Sequence, residues 1–153
     1  VMNVRHILAA AALLVFAPCA YAEDVGAERQ YFQLPEMAAL DLPFSDAVLV
    51  GDTLYLAGTG GIDVTDMSVP EDPKDEVRLM MENYKKVLAM ADMTLDDLVS
   101  VTIYCSDLSL YGDFNEVYRS YFDKDFPARA FIGSAPLLFG MRFEIQGIAV
   151  RSP

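Results

Sequence analysis

Apolar residues follow two different periods along the chain, and together they predict an α+β domain. Runs with a period of two, the pattern of half-buried strands, occur at 47–50, 53–57, 99–105, 129–132 and 142–150. Between these runs, apolar residues recur every three or four positions in 75–91 and 111–122, the spacing of an amphipathic helix. A run at 30–34, closed by Pro35, has the composition of an edge strand. The order β-β-α-β-α-β-β predicts a mixed sheet with two helices packed on one face.

Glycine-rich and acidic segments separate these elements. Gly51-Asp52 joins two strand-like runs and favours a hairpin turn. Gly58-Thr59-Gly60-Gly61 follows a strand, but no Gly-Lys-Ser/Thr sequence comes after it, which argues against a nucleotide site. We expect these glycines to turn the chain or to let backbone N–H groups approach a ligand. The acidic residues between 71 and 76 are expected on solvated faces and helix caps, and Thr94 is expected to cap a short turn.

The predicted sheet has helices on one face only, so its other face needs cover. Since 54% of the chain is hydrophobic, that face is expected to carry apolar residues that pack against another subunit. Several tyrosines could include a proton donor, but tyrosines at helical spacing are usually core or interface residues. These tyrosines are Tyr104, Tyr111, Tyr118 and Tyr121.

The first 22 residues have the three parts of a secretory signal peptide. Arg5 and His6 precede an unbroken apolar run at 7–16, and Ala20-Tyr21-Ala22 forms an A-x-A cleavage site. This run is about half the roughly 20 residues that span a bilayer, so a retained anchor is not expected. We expect a periplasmic or secreted mature protein. The predicted organisation is a signal peptide at 1–22, a lead-in at 23–41 and a single domain at 42–150.

Cleavage would remove His6, the only histidine, and Cys19, one of the two cysteines. The mature chain then lacks the residues for a Ser-His-Asp triad, a Cys-His dyad, a histidine-bearing zinc site or an internal disulfide. Cys105 remains in an apolar run, where a cysteine is usually a small buried hydrophobe. Catalysis has to rely on carboxylates, Arg, Lys, Tyr or hydroxyl groups.

The chain is strongly acidic, with a formal charge of −12. Loss of Arg5 with the signal segment would leave 10 basic against 23 acidic residues, a charge of −13. Such a surface repels phosphate backbones, and no local basic patch offsets it. The charge therefore argues against a nucleic-acid partner.

Two charged residues stand in otherwise apolar strand-like runs near the C-terminus and are the best functional candidates. Arg129 ends the sequence Phe-Pro-Ala-Arg, and Glu144 lies within Arg-Phe-Glu-Ile. A charge among hydrophobic residues usually has a partner. An arginine can hold a small carboxylate through two hydrogen bonds, and a carboxylate can move protons, so the two could form a compact site for a small acid. They could equally form a structural ion pair.

Six segments occur in the order and approximate spacing of the Rid/YjgF family, which the chain resembles over about 42–150. The Pro-Ala-Arg sequence followed by Glu-Ile near the terminus is the most specific pair. The matching segments are Pro43-Phe44-Ser45-Asp46-Ala47-Val48, Gly51-Asp52-Thr53-Leu54-Tyr55-Leu56-Ala57-Gly58, Glu82-Asn83-Tyr84-Lys85-Lys86-Val87-Leu88, Phe114-Asn115-Glu116-Val117-Tyr118, Phe126-Pro127-Ala128-Arg129 and Phe143-Glu144-Ile145-Gln146-Gly147-Ile148-Ala149-Val150.

This resemblance implies a chorismate-mutase-like fold assembled as a homotrimer, with ligand clefts between subunits. It also implies hydrolysis of reactive 2-imino acids and enamines to 2-keto acids and ammonia, without a metal or cofactor. The family's carboxylate-binding arginine falls on Arg129 and its water-handling glutamate on Glu144. Its strand glycine falls on Gly58 and its cleft-lining asparagine on Asn115.

The chain departs from the family pattern at three places. Phe44 stands where tyrosine is common, and Phe131 stands where cysteine is frequent. The familiar Ser-Gly-Gln-Ile segment reads Ala57-Gly58-Thr59-Gly60-Gly61-Ile62. These changes predict a more apolar substrate pocket, with the arginine and the glutamate intact.

Two other functions stay open on the sequence. A non-catalytic trimeric protein could keep the arginine in order to bind small carboxylates, and the lost tyrosine hydroxyl and the altered glycine loop favour this interpretation slightly. The ribonuclease activity attached to some family members fits poorly with a charge of −13 and the absence of histidine.

Overall fold

The computed structural model describes residues 26, 28–123 and 125–152, and the predicted signal peptide at 1–22 lies outside them. Six strands and three helices, separated by short 3-10 turns, make up the described part of the chain. The strands are β1 Arg29–Phe32, β2 Ala47–Val50, β3 Thr53–Gly60, β4 Leu98–Cys105, β5 Ala128–Gly133 and β6 Phe143–Val150. The helices are α1 Pro35–Ala38, α2 Pro73–Ala89 and α3 Tyr111–Arg119.

The strands form one mixed sheet in the order β1-β2-β3-β6-β4-β5. Only β4 and β5 pair in parallel in this described sheet, while the other neighbours are antiparallel. The predicted α+β class and the edge strand near 30–34 are confirmed. The four-residue helix α1, which begins at Pro35, is an addition to the predicted elements.

The helix ends differ from the predicted ones for local reasons. Helix α2 begins at Pro73 because Asp72 caps it, accepting a hydrogen bond from the Lys74 amide at 2.7 Å. Helix α3 ends at Arg119 rather than Phe122. The Ser120 hydroxyl donates to the Val117 carbonyl at 2.7 Å, and such local bonds compete with continued helix.

The core lies between one face of the sheet and helices α2 and α3. It includes fully buried Leu54, Ile103, Tyr84 and Phe114. The opposite face also carries large apolar side chains, and those more than a third exposed include Tyr31, Tyr55, Ile132 and Val150. This helix-free face has the apolar surface that the sequence predicted for contact with another subunit.

Strand β3 continues through the glycine-rich segment that was expected to turn. Beyond an irregularity after Leu56, Thr59 pairs with Ile145 and Gly60 pairs with Glu144. A side chain at Gly60 would overlap Met141, since a Cβ at this position would lie 2.1 Å from the methionine sulfur. The glycines here make space for neighbouring side chains. The turn is made by Gly51, whose φ of +60° confirms the predicted hairpin.

A buried ion pair joins α2 to the start of β6. Glu76, expected on a solvated face, is fully buried, and this prediction is wrong. Its carboxylate accepts hydrogen bonds from Arg142 Nε at 2.5 Å and from the Arg142 and Phe143 amides at 2.6 and 3.1 Å. The Arg142 guanidinium also donates to the carbonyls of Pro70 and Glu71. Glu76 thus holds the strand end that carries Glu144.

Candidate functional site

Arg129 lies on β5, where helix α3 covers the sheet. Its Nη2 atom donates to Asn115 Oδ1 on α3 at 2.7 Å. Its guanidinium carbon lies 4.8 Å from the ring centre of Tyr118 and 5.7 Å from those of Phe114 and Phe131. Aromatic faces attract a cation within this range. One amide and three rings therefore fix the guanidinium.

Tyr111 extends this arginine cluster toward solvent. Its ring meets Phe131 edge to face, with centroids 4.9 Å apart, and it is 48% exposed. Hydrogen bonding with Asn115, and to a lesser extent the positive charge of Arg129, lowers the pKa of Tyr111. The sequence placed this tyrosine in the core or at an interface. Its position four residues before Asn115 on one helix was the available signal for a shared site.

Glu144 lies on β6 beside a gap that only glycine provides. A Cβ built at Gly58 would lie 2.0 Å from Glu144 Oε1, far inside any real contact. The absent side chain of Gly58 thus makes the space that this carboxylate occupies. The strand glycine and the glutamate of the resemblance are in direct proximity.

A cavity of about 800 Å³ opens next to Glu144 and Gly58. It runs between the segment that precedes β2, the end of β3 and the outer side of α2. Phe44, which is 47% exposed, stands in its wall. Most other wall residues are apolar. They include Leu40, Met67, Phe139 and Met141.

Asn83 closes one side of this cavity by holding the backbone beyond β3. Its Nδ2 atom donates to the carbonyls of Gly60 and Ile62 at 3.2 and 3.1 Å. Because both bonds come from α2, the helix fixes the loop that follows the strand. The end of β3, which forms the cavity wall beside Glu144, is therefore held in place by α2.

The sheet places Arg129 and Glu144 on opposite faces. Arg129 pairs with Val101, which pairs with Gly147, and a Cβ at Gly147 would point at the Tyr84 hydroxyl on α2. Glu144 is three residues from Gly147 on the same strand, so it points away from the helices. Two strand spacings and three residues separate the two Cα atoms by roughly 14 Å. The predicted compact pair does not form within one chain.

The remaining candidates divide between these two positions. Asn115 and Phe131 accompany Arg129 on the helix-covered face. Phe44 and Gly58 accompany Glu144. The structure therefore contains two candidate half-sites, an arginine half-site with a guanidinium and a glutamate half-site with a cavity.

Other reactive groups lie apart from both half-sites. Cys105 is fully buried and its thiol donates to the Asp107 carbonyl at 3.0 Å. Burial raises the pKa of this thiol, so it has the character of the predicted core residue. Within the described residues, no cluster of His, Cys, Asp and Glu could hold a metal ion. No described helix is long and apolar enough to cross a membrane.

The chain as a whole matches a known protein family. A family model described as Endoribonuclease L-PSP matches residues 36–151. The chain belongs to this Rid/YjgF family. The resemblance drawn from the six sequence segments is thereby confirmed. Because members of one family can differ in chemistry, the function has to be argued from the residues of the site.

Relatives of this Rid/YjgF chain include named deaminases. The 2-iminobutanoate/2-iminopropanoate deaminase of Mus musculus is 35% identical over 112 residues, which cover 72% of this chain and 83% of that protein. RidA from an Antarctic Psychrobacter has a similar structure, with a TM-score of 0.69, 33% identity and coverage of 72% of this chain and 89% of that one. TdcF of Escherichia coli, crystallised with bound serine, has a TM-score of 0.69 and 30% identity, with coverage of 72% and 90%.

Proposed function

We propose that this protein hydrolyses reactive 2-imino acids and their enamine tautomers to 2-keto acids and ammonia. The observation that carries the proposal is the pair of half-sites. In one, aromatic rings and an asparagine surround Arg129, and in the other the carboxylate of Glu144 lies against Gly58. The first can bind a carboxylate and the second can handle water. Relatives that are named deaminases at about 35% identity support the same chemistry.

Arg129 binds the substrate carboxylate in this proposal. A guanidinium presents paired N–H groups that match the two oxygens of a carboxylate. Asn115 and the surrounding rings hold the guanidinium in place before the substrate arrives. The carboxylate is thereby fixed, and the adjacent C=N carbon is held at a set distance from the attacking water.

Glu144 holds the water and transfers its proton. The water oxygen bonds to C2 of the protonated imine while Glu144 takes a proton from that water. The resulting carbinolamine nitrogen then receives the proton, the C2–N bond breaks, and ammonia leaves. Loss of the hydroxyl proton completes the 2-keto acid. A protonated imine is already electrophilic, so a carboxylate and an arginine suffice.

The two half-sites meet between subunits in the proposed homotrimer. Arg129 and Glu144 point to opposite faces of the sheet and are roughly 14 Å apart at their Cα atoms, so one chain cannot place both on a four-carbon substrate. The exposed apolar side chains of the helix-free face, Tyr55 and Ile132 among them, offer a surface for association. Each site then takes Arg129, Asn115 and Phe131 from one copy and Glu144, Gly58 and Phe44 from the next.

A coupled assay tests the reaction itself. An amino-acid oxidase generates 2-iminopropanoate or 2-iminobutanoate in the presence of the purified protein, and ammonia and keto-acid formation are followed. We expect clear acceleration over buffer. A non-catalytic carboxylate-binding protein, which the Phe44 and Phe131 substitutions favour, would instead bind 2-ketobutyrate in calorimetry without accelerating hydrolysis.

Replacing Gly58 with alanine is expected to lower kcat by about 100-fold, because a misplacement of 1 Å in a catalytic group has effects of that order. The new Cβ would meet Glu144 Oε1 at 2.0 Å, and the carboxylate has to swing away. Since only the end of a flexible side chain moves, the melting temperature should stay near that of the wild type.

Gly61→Ala is the matched comparison for this variant. Its Cβ would lie 2.1 Å from the backbone oxygen of Glu76, so it should destabilise the fold. Steady-state kinetics and thermal unfolding of both variants separate the two effects. Wild-type turnover in Gly58→Ala would show that the reaction does not depend on the position of the Glu144 carboxylate beside Gly58.

A further inference from the structure

Tyr111 is a solvent-exposed polar side chain of the arginine half-site that the proposed mechanism leaves unused. It is the first residue of α3, and Asn115 follows one helical turn later. Its ring is fixed against Phe131, which also contacts the Arg129 guanidinium. At 48% exposure, the ring is held on one side and open on the other.

The hydrogen bonds of the cluster leave the Tyr111 hydroxyl as a donor. Asn115 Oδ1 accepts from Arg129 Nη2 at 2.7 Å. The amide N–H group is then the part of Asn115 that can donate toward the Tyr111 oxygen. A phenol oxygen that accepts from an amide keeps its own hydrogen for another acceptor. An anion on Arg129 would be that acceptor.

We propose that Tyr111 is a further substrate-binding residue, whose hydroxyl donates a hydrogen bond to the carboxylate that Arg129 holds. This inference rests on the proposed function, since it adds a second donor to the same anion. Tyr111 would also supply the site with a phenol hydroxyl, which the other half-site lacks because Phe44 stands where tyrosine is common in the family. Arg129 supplies the charge, and Tyr111 fixes how the carboxylate is oriented.

The environment of Tyr111 strengthens such a donor and makes it sensitive to pH. Asn115 and Arg129 lower the pKa of this phenol, and a more acidic phenol donates a stronger hydrogen bond to an anion. The donor is lost once the phenol ionises, and a phenolate would repel the substrate. KM should therefore rise as the pH increases through the lowered pKa of Tyr111.

Tyr111→Phe tests the role, because it keeps the ring on Phe131 and removes only the hydroxyl. We expect KM for 2-iminopropanoate to rise about 10-fold with kcat nearly unchanged, as for loss of one hydrogen bond to a charged group. The affinity for the product pyruvate should fall by a similar factor in calorimetry. The alkaline rise in KM should disappear in the variant.

Tyr121→Phe is the control, since the Tyr121 hydroxyl donates to the Arg78 carbonyl at 3.3 Å and belongs to neither half-site. It should match the wild type in KM, kcat and pH profile. An unchanged KM in Tyr111→Phe, or a loss confined to kcat, would overturn the inference while wild-type deamination stands. Absence of deamination in the wild type would instead reject the proposed function, and pyruvate affinity would still report on the hydroxyl.

Discussion

Replacing Arg129 with alanine is expected to lower kcat/KM for 2-iminopropanoate by about 1,000-fold, since two hydrogen bonds to a carboxylate contribute roughly 1.5–3 kcal/mol each. Most of the loss should appear in KM, because the same contacts bind the substrate and the transition state. A smaller loss in kcat follows from poorer orientation of the C=N carbon. Asn115 and the three rings should remain in place, as none of them depends on the charge for its position in α3 or β5.

Arg129→Lys distinguishes a bidentate contact from simple attraction. Lysine keeps the charge but lacks the planar pair of donors, so we expect it to recover only part of the lost affinity. Arg78→Ala is the matched control, because Arg78 forms an exposed pair with Asp75 on α2. Pyruvate calorimetry and steady-state kinetics on the three variants give the comparison. Wild-type kinetics in Arg129→Ala would remove the carboxylate-binding role.

Glu144→Gln is expected to reduce kcat by about 100- to 10,000-fold, the usual range for loss of a general acid–base group. Glutamine has nearly the same shape, so it can occupy the space beside Gly58. It can still contact a water molecule but cannot take its proton. Affinity for 2-ketobutyrate should therefore stay within a few-fold of the wild type.

Glu82→Gln is a suitable control for the carboxylate substitution. Glu82 lies exposed on α2 and pairs with Lys85 at 3.0 Å, so its loss should leave kcat unchanged. Single-turnover measurements show whether the chemical step is the one affected. A Glu144→Gln protein that turns over at the wild-type rate would assign the proton transfer to another group.

Periodicity predicted the fold because each element has one buried face. Strand β6 alternates buried and less buried residues from Phe143 to Val150, and α2 buries a stripe that includes Val77, Met81 and Leu88. The ends of the elements depend on single contacts that periodicity does not encode. The Asp72 cap and the Ser120 hydroxyl are two of these, and each moved a helix end by two or three residues.

The sequence could name candidate site residues but not their arrangement. Arg129 and Glu144 were recognisable as charges in apolar runs, and the family resemblance attached Gly58, Asn115, Phe44 and Phe131 to them. Their separation depends on the register between β5, β4 and β6, which no single strand contains. A shift of one residue would have reversed the face of either side chain.

Burial of Glu76 was missed for a similar reason. It follows Asp72 and Asp75 in an acidic run, which predicts a solvated helix start. Its partners are 66 and 67 residues away, at Arg142 and Phe143. Only the packing of α2 against the start of β6 brings them together, and that contact anchors the strand end next to Glu144.

The central claim is that one site uses Arg129 from one subunit and Glu144 from the next. Arg129→Ala and Glu144→Gln proteins, each nearly inactive alone at substrate concentrations far below the wild-type KM, can be mixed in equal amounts under conditions that allow subunits to exchange. In a closed ring of randomly mixed subunits, about a quarter of the sites receive both wild-type residues. Mass spectrometry of the intact assembly verifies that exchange has occurred.

The deaminase activity of this exchanged mixture is the deciding measurement. We predict recovery to about a quarter of the wild-type rate, because each intact site works independently in a symmetric ring. Samples held apart, or mixed without exchange, should stay nearly inactive. A mixture that contains verified mixed oligomers and shows no recovery would contradict the shared site and the mechanism that depends on it.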